Sequence, residues 1–135
     1  MKRDIVLIYI ISEDPVFTTS LEVMFKYYQN KILIKKFSTL TEIKENVITI
    51  SPDLIIVDEI VEGAAIFETI SYLRDTKKVT SSIFYFSEDV HDIQTKALRR
   101  GANYFYKKPF NPRTVVYEIV NNWVSIAQNE YKSIL

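Results

Sequence analysis

Apolar runs of strand length alternate along this chain with segments of helical period. Ile5 to Ile11, Leu54 to Val57, Ile83 to Phe86 and Tyr104 to Tyr106 are β-branched or aromatic and carry no polar alternation. That pattern predicts strands covered on both faces. Ile32 to Phe37 differs, because Lys35 and Lys36 interrupt it. Charge of that kind discourages edge-to-edge pairing, so this strand is expected at an edge of the sheet.

Between the strands the period changes to that of helices. Phe17, Leu21, Met24, Phe25 and Tyr28 form one stripe, entered by Asp14 as N-cap and Pro15 in the first turn. Leu40, Ile43, Val47 and Ile50 form a second, with Thr39 and Glu42 spaced as a capping box. Ile66, Phe67, Ile70 and Leu73 form a third. A weaker fourth, around Ile93, Ala97 and Leu98, stops before Gly101. The fifth opens with Asn111-Pro112 and carries Val116, Ile119, Val120, Trp123 and Ala127. Five strands alternating with five helices predict a doubly wound α/β fold, with a five-stranded parallel sheet and helices on both faces. No linker-like or repetitive tract divides the 135 residues, so one domain over 1–135 is expected.

Composition narrows the function classes. The formal charge is zero, from 17 basic and 17 acidic side chains. No Lys/Arg stripe runs along a helix, which argues against direct binding of nucleic acid. The chain has no cysteine, which removes disulfides and thiolate metal sites. Its longest apolar run falls far short of the roughly 20 residues that span a bilayer. A soluble, cytoplasmic protein without a membrane partner is expected. Only two glycines occur, so there is no Gly-rich phosphate loop.

Chemistry gathers at predicted strand ends. Asp58 closes one apolar strand, Ser87 another, and Lys108-Pro109 follows a third. In an open parallel sheet these ends border one crevice, where an acid, a hydroxyl and an amine suit the handling of a phosphoryl group. Each residue also has a plainer role: Asp58 in a turn, Ser87 as a helix cap near Asp89, Lys108 as a solvated loop lysine. A Lys-Pro bond at a strand end is a candidate for a cis peptide that aims the amine inward. His91 is expected on the first turn of a helix, without catalytic work. After the first strand comes Ser12-Glu13-Asp14. Asp14 is accounted for as a cap; Glu13 is not, and it brings a second carboxylate to a neighbouring strand end. Two such anions about 5 Å apart at an effective dielectric near 20 repel by about 3 kcal/mol. They therefore raise one pKa or recruit a cation. Oxygen-only ligation at an exposed strand end favours Mg2+.

These residues make the chain resemble the receiver domain of two-component response regulators. The resemblance rests on Glu13-Asp14-Pro15, on Pro52-Asp53-Leu54-Ile55-Ile56-Val57-Asp58, and on Ser87 after Ile83-Phe84-Tyr85-Phe86. It is most specific in Gly101-Ala102-Asn103-Tyr104-Phe105-Tyr106-Lys107-Lys108-Pro109-Phe110, and from Asp58 to Arg74 it runs without gaps. It implies the sheet order 2-1-3-4-5. It also implies that Asp58 accepts a phosphoryl group from a histidine kinase or phosphotransfer protein. Glu13, Asp58 and the backbone carbonyl of Ile60 would hold Mg2+, with Asp14 as the alternative acid if the alignment slips by one residue. Lys108 would neutralise a phosphoryl oxygen and Ser87 would hydrogen-bond another. Phe105 would turn inward as Ser87 moves, reshaping the face of the fourth helix, fifth strand and fifth helix for a downstream effector or a homodimer. Such a protein is a switch rather than an enzyme.

The chain departs from the family pattern at several positions. Ser12 and Glu13 stand where two acids are usual, Glu62 where proline is common, Ile66 where glycine is usual, and Phe105 in place of tyrosine. These departures keep a second class open: an interaction module that retains the fold and binds a partner without phosphate. A flavin or nucleotide enzyme is disfavoured, because the acidic turn after the first strand would repel a phosphate.

Overall fold

In the computed structural model, residues 5–28, 31–46, 51–88 and 92–122 are described. The apolar runs become strands β1 (Val6–Ile11), β2 (Ile32–Phe37), β3 (Leu54–Asp58), β4 (Ser82–Ser87) and β5 (Tyr104–Lys107). All neighbours pair in parallel in the order β2-β1-β3-β4-β5, as the resemblance implied. Asp53 locks β3 to β1 before the ladder begins. Its N–H donates to the Leu7 carbonyl at 2.7 Å, and its carboxylate accepts the Leu7 N–H at 2.8 Å.

Period-two alternation sends successive side chains to opposite faces. On one face Val6, Ile8, Ile10, Leu54, Ile56, Phe84 and Phe86 pack against Phe17, Leu21 and Phe25 of α1 (Pro15–Tyr28) and Val115, Val116 and Ile119 of α5 (112–122). On the other, Tyr9, Ile11, Ile55, Val57, Ile83 and Tyr85 meet α2 (Leu40–Glu45), α3 (Glu68–Ser71) and α4 (Ile93–Arg100). Burying one such Leu, Ile or Phe side chain contributes about 1.5–3 kcal/mol. The two layers of apolar side chains therefore hold the sheet between its helices.

The helix starts follow the expected chemistry. Asp14 Oδ1 accepts the Val16 N–H at 2.9 Å at the start of α1. Thr39 caps α2, its hydroxyl accepting the Glu42 N–H at 3.0 Å, while the Glu42 carboxylate takes the Ser38 hydroxyl at 2.7 Å. Gly101 ends α4 with φ +124.

Three expectations need correction. The third helix begins at Glu68, because Phe67 adopts a left-handed φ of 66°. Phe67 itself is buried, but Ile66 is left outside at 55% exposure, and the helix runs on as a π-helical turn over Tyr72–Thr76. β5 is only partly covered: Tyr104 is 38% exposed, and Phe105 and Tyr106 are half-buried. Leu98 lies on the outer side of α4, which is held by Ile93 and Ala97. Val47, Ile50, Asp89, His91, Trp123, Ala127 and the side chain of Tyr28 lie outside the described residues.

The loop after β3 is stitched to its neighbours by backbone. The Glu13 N–H donates to the Ile60 carbonyl at 2.9 Å, and the Leu40 N–H to the Glu62 carbonyl at 3.0 Å. Thr39 and Glu62 form an isolated parallel bridge. Among the described residues no helix is long and apolar enough to cross a membrane.

Candidate functional site

The strand ladders continue one residue past their ends, and that continuation builds the site. Asp58 stands beside Phe86, and Ser87 beside Lys107. The Ser12 N–H reaches the Phe37 carbonyl at 2.9 Å, the Glu59 N–H reaches Phe86 at 3.0 Å, and the Lys108 N–H reaches Ser87 at 2.9 Å. The ends of β1, β3, β4 and β5 thereby share one rim.

Asp58 lies at the centre of that rim, its side chain fully buried. Lys108 Nζ donates to Oδ1 at 2.8 Å, and the Ser12 hydroxyl donates to Oδ2 at 2.6 Å. The direction of the Ser12 hydroxyl is fixed from the other side. Its oxygen accepts the Asp14 N–H at 3.0 Å, so its hydrogen is left for the carboxylate. Lys108 is positioned as well as paired. Its Nζ lies 5.4 Å from the centre of the Phe17 ring and 3.9 Å from Glu59 Oε2, and the Lys108-Pro109 peptide is cis. Phe17, Phe86 and Phe110 form an aromatic cluster beneath it, with centroids 4.8–5.7 Å apart.

Asp58 and Lys108 are thus brought into direct contact. Ser87 is buried at the adjacent strand end, and alternation turns its side chain to the α4 face, away from the α1 side on which Asp58 lies. Phe105 is half-buried on that same α4 face, with its ring 6.4 Å from Tyr85. The backbone of the expected cation ligands meets at this rim, but their carboxylates are engaged elsewhere or face solvent. Glu13 is exposed, and Asp14 uses its carboxylate as a helix cap. The Ile60 carbonyl already accepts the Glu13 N–H. Among the described residues no three Asp, Glu, His or Cys side chains cluster.

Sequence reasoning missed Glu59, whose carboxylate accepts the Glu88 N–H beside Lys108. The contact of Ser12 with Asp58 was also missed. The only signal for Glu59 was adjacency to a named residue; for Ser12 it was a place where the resemblance expects an acid. Tyr85 was read as core, and it is; its hydroxyl, however, is buried with no hydrogen-bond partner among the described residues. Burial, followed by the charges of Glu59 and Asp58, pushes that phenol well above its ordinary pKa.

A sequence model described as the response regulator receiver domain matches residues 8–120. The chain belongs to that family. Receiver domains act in two-component signalling, and this chain has their fold. A two-component response regulator from Clostridium difficile is 20% identical with a TM-score of 0.76, the match covering 89% of this chain and 96% of that one. The receiver domain of the Francisella response regulator 1452 has the same TM-score at 15% identity, over 90% and 98% of the two chains. The chemotaxis response regulator CheY4 of Vibrio cholerae superposes with a TM-score of 0.70 at 14% identity, over 88% and 98%. No curated protein matches the chain in sequence.

Receiver domains characteristically bind Mg2+ in an acidic pocket. The side chains of this receiver do not fit the ion in that way. Mg2+ demands near-octahedral oxygen ligands at about 2.0–2.1 Å. Here one oxygen of Asp58 carries an ammonium and the other a hydroxyl donor, and Ser12 offers no charge of its own.

Proposed function

We propose that this receiver is a phosphoacceptor switch in a two-component phosphorelay, acting as one domain over residues 1–135, with Asp58 as the reacting group. The observation that carries this reading is a buried carboxylate held at a strand end by Lys108 at 2.8 Å. An Asp58 oxygen would attack the phosphorus of a phosphohistidine on a kinase or phosphotransfer protein. The P–N bond breaks, the imidazole takes up a proton as it leaves, and an aspartyl phosphate remains. Asp58 then no longer carries the charge that holds Lys108, and the ammonium is free to neutralise a phosphoryl oxygen.

Ser87 would then turn toward another phosphoryl oxygen, and Phe105 would fill the space it leaves. Both lie on the α4 face, so the surface of α4, β5 and α5 would change for an effector or a second copy of the chain. The protein works as a cytoplasmic switch rather than as a turnover catalyst.

The direct test is incubation with acetyl phosphate followed by intact mass measurement. The native chain is expected to gain one phosphoryl group, and Asp58→Asn to gain none. A native chain that stays unmodified, even with excess Mg2+, would support a second reading: an interaction module that keeps the fold without the chemistry. The full hydrogen bonding of Asp58 at rest is the observation that favours it.

A further inference from the structure

We infer that Ser12 makes the Asp58 pocket independent of divalent cations, its hydroxyl covering the carboxylate oxygen that a metal ion would need. Ser12 is 4% exposed and Asp58 1%, so neither contact is a loose surface encounter. The hydroxyl is held at both ends: it accepts the Asp14 N–H at 3.0 Å and donates to Asp58 Oδ2 at 2.6 Å. The other oxygen belongs to Lys108, an internal cation with a 12% exposed side chain. An incoming divalent ion would have to displace the hydroxyl or stand beside the ammonium.

The placement of the carboxylates points the same way. A metal site gains from several converging carboxylates, whose mutual repulsion the ion relieves. In this hollow Asp58 is already balanced by Lys108. Glu59, the next acid, lies 3.9 Å from the same ammonium and holds the Glu88 N–H. Glu13 faces solvent. What is missing is a second carboxylate against Oδ2, and Ser12 occupies that spot. This inference concerns the resting pocket alone and does not rest on Asp58 being a phosphoacceptor.

The test is calorimetric titration of Mg2+ and of Mn2+ into the full chain, native and Ser12→Asp, with circular dichroism to establish that each is folded. The native chain is expected to give no saturable binding into the tens of millimolar. Ser12→Asp would put a second carboxylate beside Asp58 Oδ2 and is expected to bind at least about tenfold more tightly. Adding Asp58→Asn to Ser12→Asp should abolish that gain. Saturable low-millimolar binding by the native chain would overturn the inference, even if the variant failed to fold. So would a folded Ser12→Asp chain no better than native, or a gain that survived Asp58→Asn.

Discussion

The hydroxyl of Tyr85 is the least satisfied group in the core: fully buried, with no hydrogen-bond partner among the described residues. An unpaired buried hydroxyl costs about 1–3 kcal/mol. Tyr85→Phe is therefore expected to raise the free energy of unfolding in urea by about 1 kcal/mol, the ring itself being kept. A fall in stability would mean that the hydroxyl has a partner. The phenol also sets a pH dependence. Burial raises Tyr85, and burial with the bond to Glu118 raises Tyr106, above an ordinary 10.0. The unfolded chain ionises first, so stability is whole below pH 10 and falls as pH rises beyond it. Tyr85→Phe should flatten that alkaline decline in pH-dependent melting. At this scale Asp58 was legible because it directly follows an apolar run, and Lys108 because it precedes Pro109 just beyond one. The role of Ser12 was not, since its partner is 46 positions away and serine is common after strands.

Among the elements, the turns on either side of β4 are joined by one side chain. Arg74 donates to the carbonyls of Gly101 at 2.9 Å, Val79 at 2.7 Å and Ser81 at 2.8 Å, and to Asn103 Oδ1 at 2.8 Å. Asn103 Oδ1 also accepts the Ile83 N–H at 2.8 Å, tying the clamp to the start of β4. Gly101 makes this approach possible: a Cβ there would lie 2.6 Å from Arg74 Cγ, at a φ of +124. Gly101→Ala is expected to destabilise the fold by about 1–3 kcal/mol, seen as a lowered melting temperature. An unchanged melting temperature would show that the Arg74 stem yields freely. Element types and their order were legible in the sequence because unbroken β-branched and aromatic runs alternate with stripes of helical period. The third helix start was not, since periodicity alone counts Ile66 into the stripe while a left-handed Phe67 turns it out. Exposure of β5 was also hidden. Aromatic residues read as covered on both faces, yet how far a helix covers a short strand is set by packing that the run itself does not encode.

For the molecule as a whole, the β2 edge carries its own guard against pairing with another chain. β2 exposes Leu33 at 58%, and the neighbouring Lys35 and Lys36 are its protection. Lys36 also reaches Glu22 of α1 at 3.1 Å. Replacing both lysines with valine should produce concentration-dependent association in light scattering, with the monomer's circular dichroism retained at low concentration. A variant that stays monomeric at high concentration would place the protection elsewhere. The stitched loop after β3 has a different consequence. Its main chain is pinned by Glu13 and Leu40, while the side chains of Ile60, Glu62 and Ile66 stand in solvent. Mutations at these three positions can therefore alter which visitor the doorway admits while leaving the lock inside unchanged.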